Sequence, residues 1–298
     1  MSADATAVSA PRVDVLALGA AGITVVLWAS AFVGIRAAGQ DFSPGSIALG
    51  RVLVAAIVLG LLALYRREPL PHARDLPLIA LCGVLWLGAY SVLLNAAERH
   101  IDAGTAALLV NVGPILIALL AGLLLAEGFP RTIFAGCAIA FVGVAVIALG
   151  TSTFGSSGTL GVLLCLLAAF GYAGGVVTQK VVLRNVSPLM TIFLSCVAAA
   201  LACSWAGPGL IDQLGDASHT NTSWIVYLGL FPTAIGFVTW AYALARTSAG
   251  RMAATTYLVP AIAILIGWAY LDETPPALAF LGGTICIAGV AVARRAPR

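Results

Sequence analysis

The chain of 298 residues is 61% hydrophobic and only 9% charged, with a formal net charge of +3 and a mean hydropathy of +1.05. A soluble domain carries about 25% charged residues, so the composition excludes a water-soluble enzyme or binding domain. So small a positive balance forms no nucleic-acid footprint, and no nucleic-acid partner is expected.

In chain order, polar clusters separate ten apolar stretches, at 15–35, 45–65, 76–97, 103–125, 131–149, 159–179, 189–206, 223–245, 252–271 and 277–293. Most reach the ~17–25 residues that cross a bilayer as a helix. The first has the look of a signal peptide, but nine more follow, and it is read as an uncleaved first helix. Connections are short, the longest being the polar Gly207–Thr222. With both termini in the cytoplasm, the inner segments hold Arg12, Arg66, Arg67, Arg74, Arg131, Lys180, Arg184, Arg246, Arg251, Arg294, Arg295 and Arg298. The outer segments hold Arg36 and Arg99, together with Asp212, Asp216, Asp272 and Glu273. This is the positive-inside bias of a multi-pass protein of the inner (plasma) membrane. Arg51 is the one basic residue left within a span.

The chain repeats itself. An offset of 146 lays 97–146 over 243–292, matching Ala103-Gly104 to Ala249-Gly250, Pro114 to Pro260, Glu127 to Glu273 and Pro130 to Pro276. An offset of 144 lays Trp28–Pro44 over Tyr172–Pro188, with Arg36 on Lys180 and Ser43-Pro44 on Ser187-Pro188. Five spans per copy is an odd number, so the second copy enters the membrane from the opposite side. The expected fold is an all-α integral membrane protein of ten transmembrane helices, built as two inverted five-helix repeats. Residues 1–150 form the first repeat and 151–298 the second, with Thr151–Gly158 as linker.

WASAFVGIR at Trp28–Arg36, GRVLVA at Gly50–Ala55, ALLVNVGPILIALLAGLLLAEG at Ala107–Gly128 and its second copy ATTYLVPAIAILIGWAYLDET at Ala254–Thr274 resemble the EamA-type drug/metabolite transporter superfamily. Within it the chain looks most like YddG-type amino-acid exporters. The resemblance implies a basket of ten helices, with spans 1, 3, 4, 6, 8 and 9 around a central cavity.

In those spans stand the candidate substrate-binding residues: Trp28 and Ser30, Tyr90, Asn111, Tyr172 and Gln179, Phe237 and Trp240, Thr256 and Tyr257. Phe32, Ser91, Asn95 and Thr233 accompany them. Pro114 and Pro260 are helix-kink candidates, because a mid-helix proline leaves the carbonyls of Val110 and Thr256 without their helical donor. Such a carbonyl must face protein or a wet cavity. Arg51 could meet a substrate carboxylate, pair with Glu98 or Asp41, or reach the outer headgroups; a structural role is expected, since its span is not expected to line the cavity. Gly136, Gly143 and Gly150 in the fifth span, and Gly282 and Gly289 in the tenth, mark a close helix contact that serves as scaffold.

The absences are as pointed. No Asp or Glu lies deep in a span, so no buried carboxylate is available to carry protons. His72, His100 and His219 are scattered, and all six cysteines lie in apolar stretches, so neither metal nor cofactor is expected. No convergent set of His, Asp or Cys supports a membrane enzyme. The expected function is export of amino acids, aromatic and other neutral ones included, and of related metabolites, by an uncoupled alternating-access carrier working as a monomer in the lipid bilayer. The alternative is a multidrug exporter of lipophilic compounds driven by a proton gradient.

Overall fold

The computed structural model describes residues 14–97, 99–100, 109–151, 159–271 and 277–295, and every regular element among them is helical. The principal helices are α1 (Val15–Ala38), α2 (Pro44–Arg66), α3 (Ala73–Ala97), α4 (Gly113–Leu124), α5 (Arg131–Thr151), α6 (Thr159–Val182), α7 (Pro188–Ala202), α8 (His219–Arg246), α9 and α10 (Ala277–Ala293). α9 is composite, running through Ala249–Ala254, a 3-10 turn Thr255–Tyr257 and Leu258–Leu271. Ala103-Gly104, Glu98, Asp272-Glu273, Pro276 and most of the linker Thr151–Gly158 lie outside the described residues, as do the side chains of Phe32 and Arg36. Among the described residues five helices (α1, α2, α3, α6 and α8) are long and apolar enough to cross a membrane, or six if α7 is joined to the segment bent from it by 58°.

That bent segment corrects one expectation. Gly207–Asp216, within the stretch read as the longest loop, is a helix. Pro208 starts it, and Leu210 turns into the core while Ile211 and Leu214 stay exposed.

The repeated sequence produces repeated local structure. Ser43 and Ser187, equivalent positions, each cap a helix whose first residue is proline: Ser43 Oγ accepts from Ser46 N and Ser187 Oγ from Met190 N, both at 3.2 Å. Each cap contributes on the order of 1 kcal/mol. Two π-helical segments, Gly83–Tyr90 in α3 and Gly229–Ile235 in α8, begin at positions matched by the 146-residue offset. A π-turn widens a helix locally and leaves carbonyls without ordinary partners.

α5 and α10 cross on their glycines. A Cβ on Gly136 would lie 2.6 Å from Gly289 O, and one on Gly289 2.7 Å from Gly136 O. For Gly143 against Gly282 O the distance is 2.7 Å, and for the converse 2.5 Å. Gly136 thus meets the repeat equivalent of Gly143, and Gly143 the equivalent of Gly136. Between them Cys286 Sγ donates to the carbonyl of its own equivalent, Ala140, 3.4 Å away and 146 residues earlier. Such reciprocal pairing marks a local two-fold axis. Low residue numbers meet high ones, so the helices are antiparallel and the axis stands perpendicular to them.

Candidate functional site: an aromatic cavity

A cavity of about 130 Å³ lies at the centre of the bundle, roughly ten times the ~10–15 Å³ one water requires. α1 contributes Trp28, Ala31 and Ile35; α2 Arg51; α3 Trp86, Tyr90, Ser91, Leu94 and Asn95. Val110 and Asn111 come from the segment just before α4 and Pro114 from its first turn, Tyr172 from α6, Phe237 from α8, and Thr256, Val259 and Pro260 from α9. Both proline helices lose α-regularity just before the proline, at the turn 111–112 and in the 3-10 segment Thr255–Tyr257. In each repeat the broken turn therefore borders the cavity.

Aromatic rings packed edge-on and tilted form its floor. The Trp28 ring centre lies 4.9 Å from Trp240, 5.1 Å from Phe237 and 5.8 Å from Trp86. Trp86 lies 4.8 Å from Phe237 and 5.3 Å from Tyr172, which lies 5.8 Å from Tyr90. Each such pair adds about 0.5–1.5 kcal/mol beyond area burial. The polar handles of these rings find partners inside the bundle. Trp28 Nε1 donates to Pro232 O in the α8 π-segment at 3.2 Å, Trp240 Nε1 to Gln179 Oε1 at 3.0 Å, and Tyr172 OH to Thr256 Oγ1 at 3.5 Å. The floor is thus rigid, and what it offers a guest is largely ring surface.

Of the residues singled out in the sequence, Trp28, Tyr90, Asn111, Tyr172, Phe237, Thr256, Pro114 and Pro260 line the cavity. Ser30, Gln179, Trp240 and Tyr257 do not. Ser30 Oγ shares a 2.7 Å hydrogen bond with Tyr227 OH, tying α1 to α8. Gln179 and Trp240 form a fully buried pair beneath the floor. Tyr257 is fully buried too, packed with Ile133, Cys137 and Cys286 between α5 and α10. In a 3-10 turn successive side chains diverge by about a third of a turn, so Thr256 faces the cavity and its neighbour cannot.

Beyond that set the wall holds the apolar Ala31, Ile35, Leu94 and Val259, and two larger residues. Trp86 was not singled out, although its four-residue spacing to Tyr90 and Leu94 is a helical stripe. Arg51 was given a structural role on a span expected to stand apart; α2 instead presents it at the cavity wall. Its Nε donates to Thr233 Oγ1 at 2.8 Å, and Thr233 donates to Leu228 O at 2.7 Å across the π-segment. Asp41, one suggested partner, accepts from Ser218 N and Asn221 Nδ2 instead.

The face carrying Asp14 and Arg294 is closed. Lys180 Nζ donates to Leu244 O and Thr247 O, both at 2.6 Å. Both Glu127 oxygens accept from Ala249 N at 2.9 Å. Arg246 Nε lies 3.6 Å from Asp14, and Ser187 Oγ donates to Glu68 at 2.7 Å. These contacts join α6 to α8, α4 to α9, α1 to α8 and α2 to α7. In α1, α3 and α4 the cavity-lining residues lie in the halves away from this face.

An all-helical bundle of apolar spans, sealed at one face and hollow above an aromatic floor, has the build of a membrane carrier for a small molecule. Comparison with known proteins agrees. The model of the EamA-like transporter family matches twice, over residues 15–149 and 159–295, and the chain belongs to that family. It is a membrane transporter rather than an enzyme. It is 39% identical over 283 residues to a probable terminal-alkyne amino-acid exporter of Streptantibioticus cattleyicolor, covering 92% of this chain and 91% of that protein. It is 25% identical to a probable amino-acid metabolite efflux pump of Salmonella typhimurium, covering 90% and 91%. A solved crystal structure superimposes with a TM-score of 0.77 at 19% identity, covering 93% of this chain and 96% of that one, a likeness of fold.

Proposed function

We propose that this protein exports neutral, apolar or aromatic amino acids and related metabolites across the plasma membrane, as an uncoupled alternating-access carrier with both termini in the cytoplasm. The observation that carries this reading is the cavity wall: aromatic rings packed edge-on or tilted, a few neutral polar groups beside Arg51, and no acidic residue among the described residues lining it. Rings suit an apolar side chain, and the described residues of the wall include no carboxylate to pick up and release a proton during a cycle. The similarity to exporters named for amino acids supports the same cargo class.

Two inverted five-helix repeats, 1–150 and 151–298, supply the mechanism. In the proposed topology α5 and α10 both cross the bilayer, so the two-fold axis between them, perpendicular to both, lies in the membrane plane. With the terminal face cytoplasmic, the sealed conformation is the outward-facing one. Opening inward requires Lys180 to leave the carbonyls of Leu244 and Thr247, and Glu127 to leave Ala249 N. A monomer contains both repeats and therefore the whole pathway.

Counterflow in proteoliposomes tests this. Vesicles preloaded with an unlabelled apolar amino acid should take up the labelled one transiently, at a rate unchanged by an imposed pH gradient. Acceleration by the gradient with measured proton movement, or exchange of lipophilic cations but no amino acid, would replace this reading with a proton-driven multidrug exporter.

A further inference from the structure

Arg51 is the one cationic side chain among the described residues lining the cavity, and its described surroundings leave it under-used. Among the described residues it makes one hydrogen bond, from Nε to Thr233 Oγ1 at 2.8 Å, and no ion pair. A guanidinium keeps its charge in any protein environment and presents five donors. Four of those, on the two Nη nitrogens, are left without a described partner. Charged groups within a membrane span face the protein interior or a wet cavity and are paired there. A side chain serving only to tie α2 to α8 would need no charge, since an amide reaches a threonine hydroxyl as well.

Thr233 is itself fixed. It is buried, sits in the π-segment Gly229–Ile235, and donates to Leu228 O. The widened turn thus holds a hydroxyl with its proton already committed, so its oxygen can only accept. Accepting from Nε sets the guanidinium plane and leaves the Nη edge for a second partner. A carboxylate is the group whose geometry matches that edge with two parallel hydrogen bonds.

Resting on the amino-acid reading above, we propose that Arg51 is the specificity-determining anchor of the cavity. It holds the carboxylate of the cargo while the apolar side chain lies on the floor formed by Trp28, Trp86 and Phe237. Thr233 is the positioning residue that aims it. The wall's other polar groups, among them Ser91, Asn95 and Thr256, are neutral and meet the cargo's ammonium without a second full charge. The carboxylate is therefore the required group and the ammonium the dispensable one.

The test is competition against counterflow of a labelled apolar amino acid, using the full-length protein in liposomes. The deaminated acid of the same side chain should compete within a few-fold of the amino acid. The methyl ester and the decarboxylated amine should be weaker by roughly tenfold or more, the loss expected for a charge-assisted hydrogen-bonded pair. Arg51→Gln should raise the apparent KM for the amino acid by a similar factor and erase the preference for acid over ester. Arg51→Lys should keep part of that preference, and Thr233→Val should reduce the ratio of acid to ester competition several-fold. Equal competition by acid, ester and amine in the wild type overturns the assignment without any variant, so poor folding of Arg51→Gln does not shield it. Retention of the acid preference in a folded Arg51→Gln also overturns it. Exchange of the labelled deaminated acid but of no amino acid would remove the amino-acid reading and leave Arg51 as anchor. Exchange of neither removes both.

Discussion

Two helix pairs occupy equivalent places in the two halves of the chain and do opposite work. α5 and α10 meet through glycines, backbone against backbone, with carbonyls as close as van der Waals contact permits. α4 and α9 are interrupted just before Pro114 and Pro260, and border the cavity with the broken turns. The first pair gains rigidity from removing side chains and the second gains a polar, deformable wall from removing an N–H. On the proposed alternating-access reading both are needed: a joint that does not yield and a pathway that does.

The largest effect should come from breaking the joint. Gly143→Val places its side chain where even a Cβ lies 2.7 Å from Cys286 N and Gly282 O. Neither neighbour is a flexible side-chain tip, so the helices must separate. Overpacking of this kind costs about 1–3 kcal/mol or more, and loss of folded protein on size-exclusion chromatography in detergent is expected. The same substitution at Gly19, where a Cβ meets nothing within 4 Å, is the control and should be silent.

Next in size is the seal at the terminal face. Lys180→Met removes two charge-assisted hydrogen bonds to the end of α8, each worth about 1.5–3 kcal/mol. The population should move toward an open terminal face by at least tenfold. Spin labels at Asn185 and Arg246, each replaced by cysteine, should report a longer distance than in the parent. An unchanged distance distribution would mean that Lys180 braces the fold and is no part of the gate.

The joint was legible in the sequence and the cavity only partly so, for a physical reason. Glycine every seven residues, proline at matched positions and Ser-Pro at helix starts act through one residue's own backbone, so Gly136, Pro114 and Ser43 could be read directly. The cavity wall depends on which way a helix faces, and that is set by irregular turns. A π-turn in α3 changes the register in which Trp86 and Tyr90 are read against an ordinary helical wheel. The 3-10 turn in α9 sends Tyr257 into the packing between α5 and α10 while Thr256 lines the hollow. The partners of Arg51 stay open in the sequence, because nothing in its own segment signals that the π-segment of α8 brings Thr233 to meet it.

Pro260→Ala sharpens the contrast from the other side. Proline in a helix interior costs ~3 kcal/mol or more, so restoring the N–H should raise thermal stability. The repaired backbone would also bond the carbonyl of Thr256 and stiffen the wall, so exchange should slow several-fold in the same variant. A protein made more stable yet slower is the signature of a break kept for movement. If stability rises while exchange is untouched, the broken turn only accommodates packing.

The smallest effect compares the two halves at matched caps. Ser43→Ala and Ser187→Ala each remove a hydroxyl that accepts from the first turn of α2 or α7, at a cost of about 0.5–2 kcal/mol. The environments differ in one respect. Ser187 Oγ also donates to Glu68 at 2.7 Å, joining the two repeats at the sealed face, whereas Ser43 Oγ bonds within its own repeat to Ser46. Ser187→Ala should therefore be the more destabilising of the pair, with a double-mutant cycle against Glu68→Gln giving a coupling that Ser43 lacks. Equal losses would mean that Ser187 acts as a cap alone, and that the seal between the halves rests on Glu127 with Ala249 and on Asp14 with Arg246.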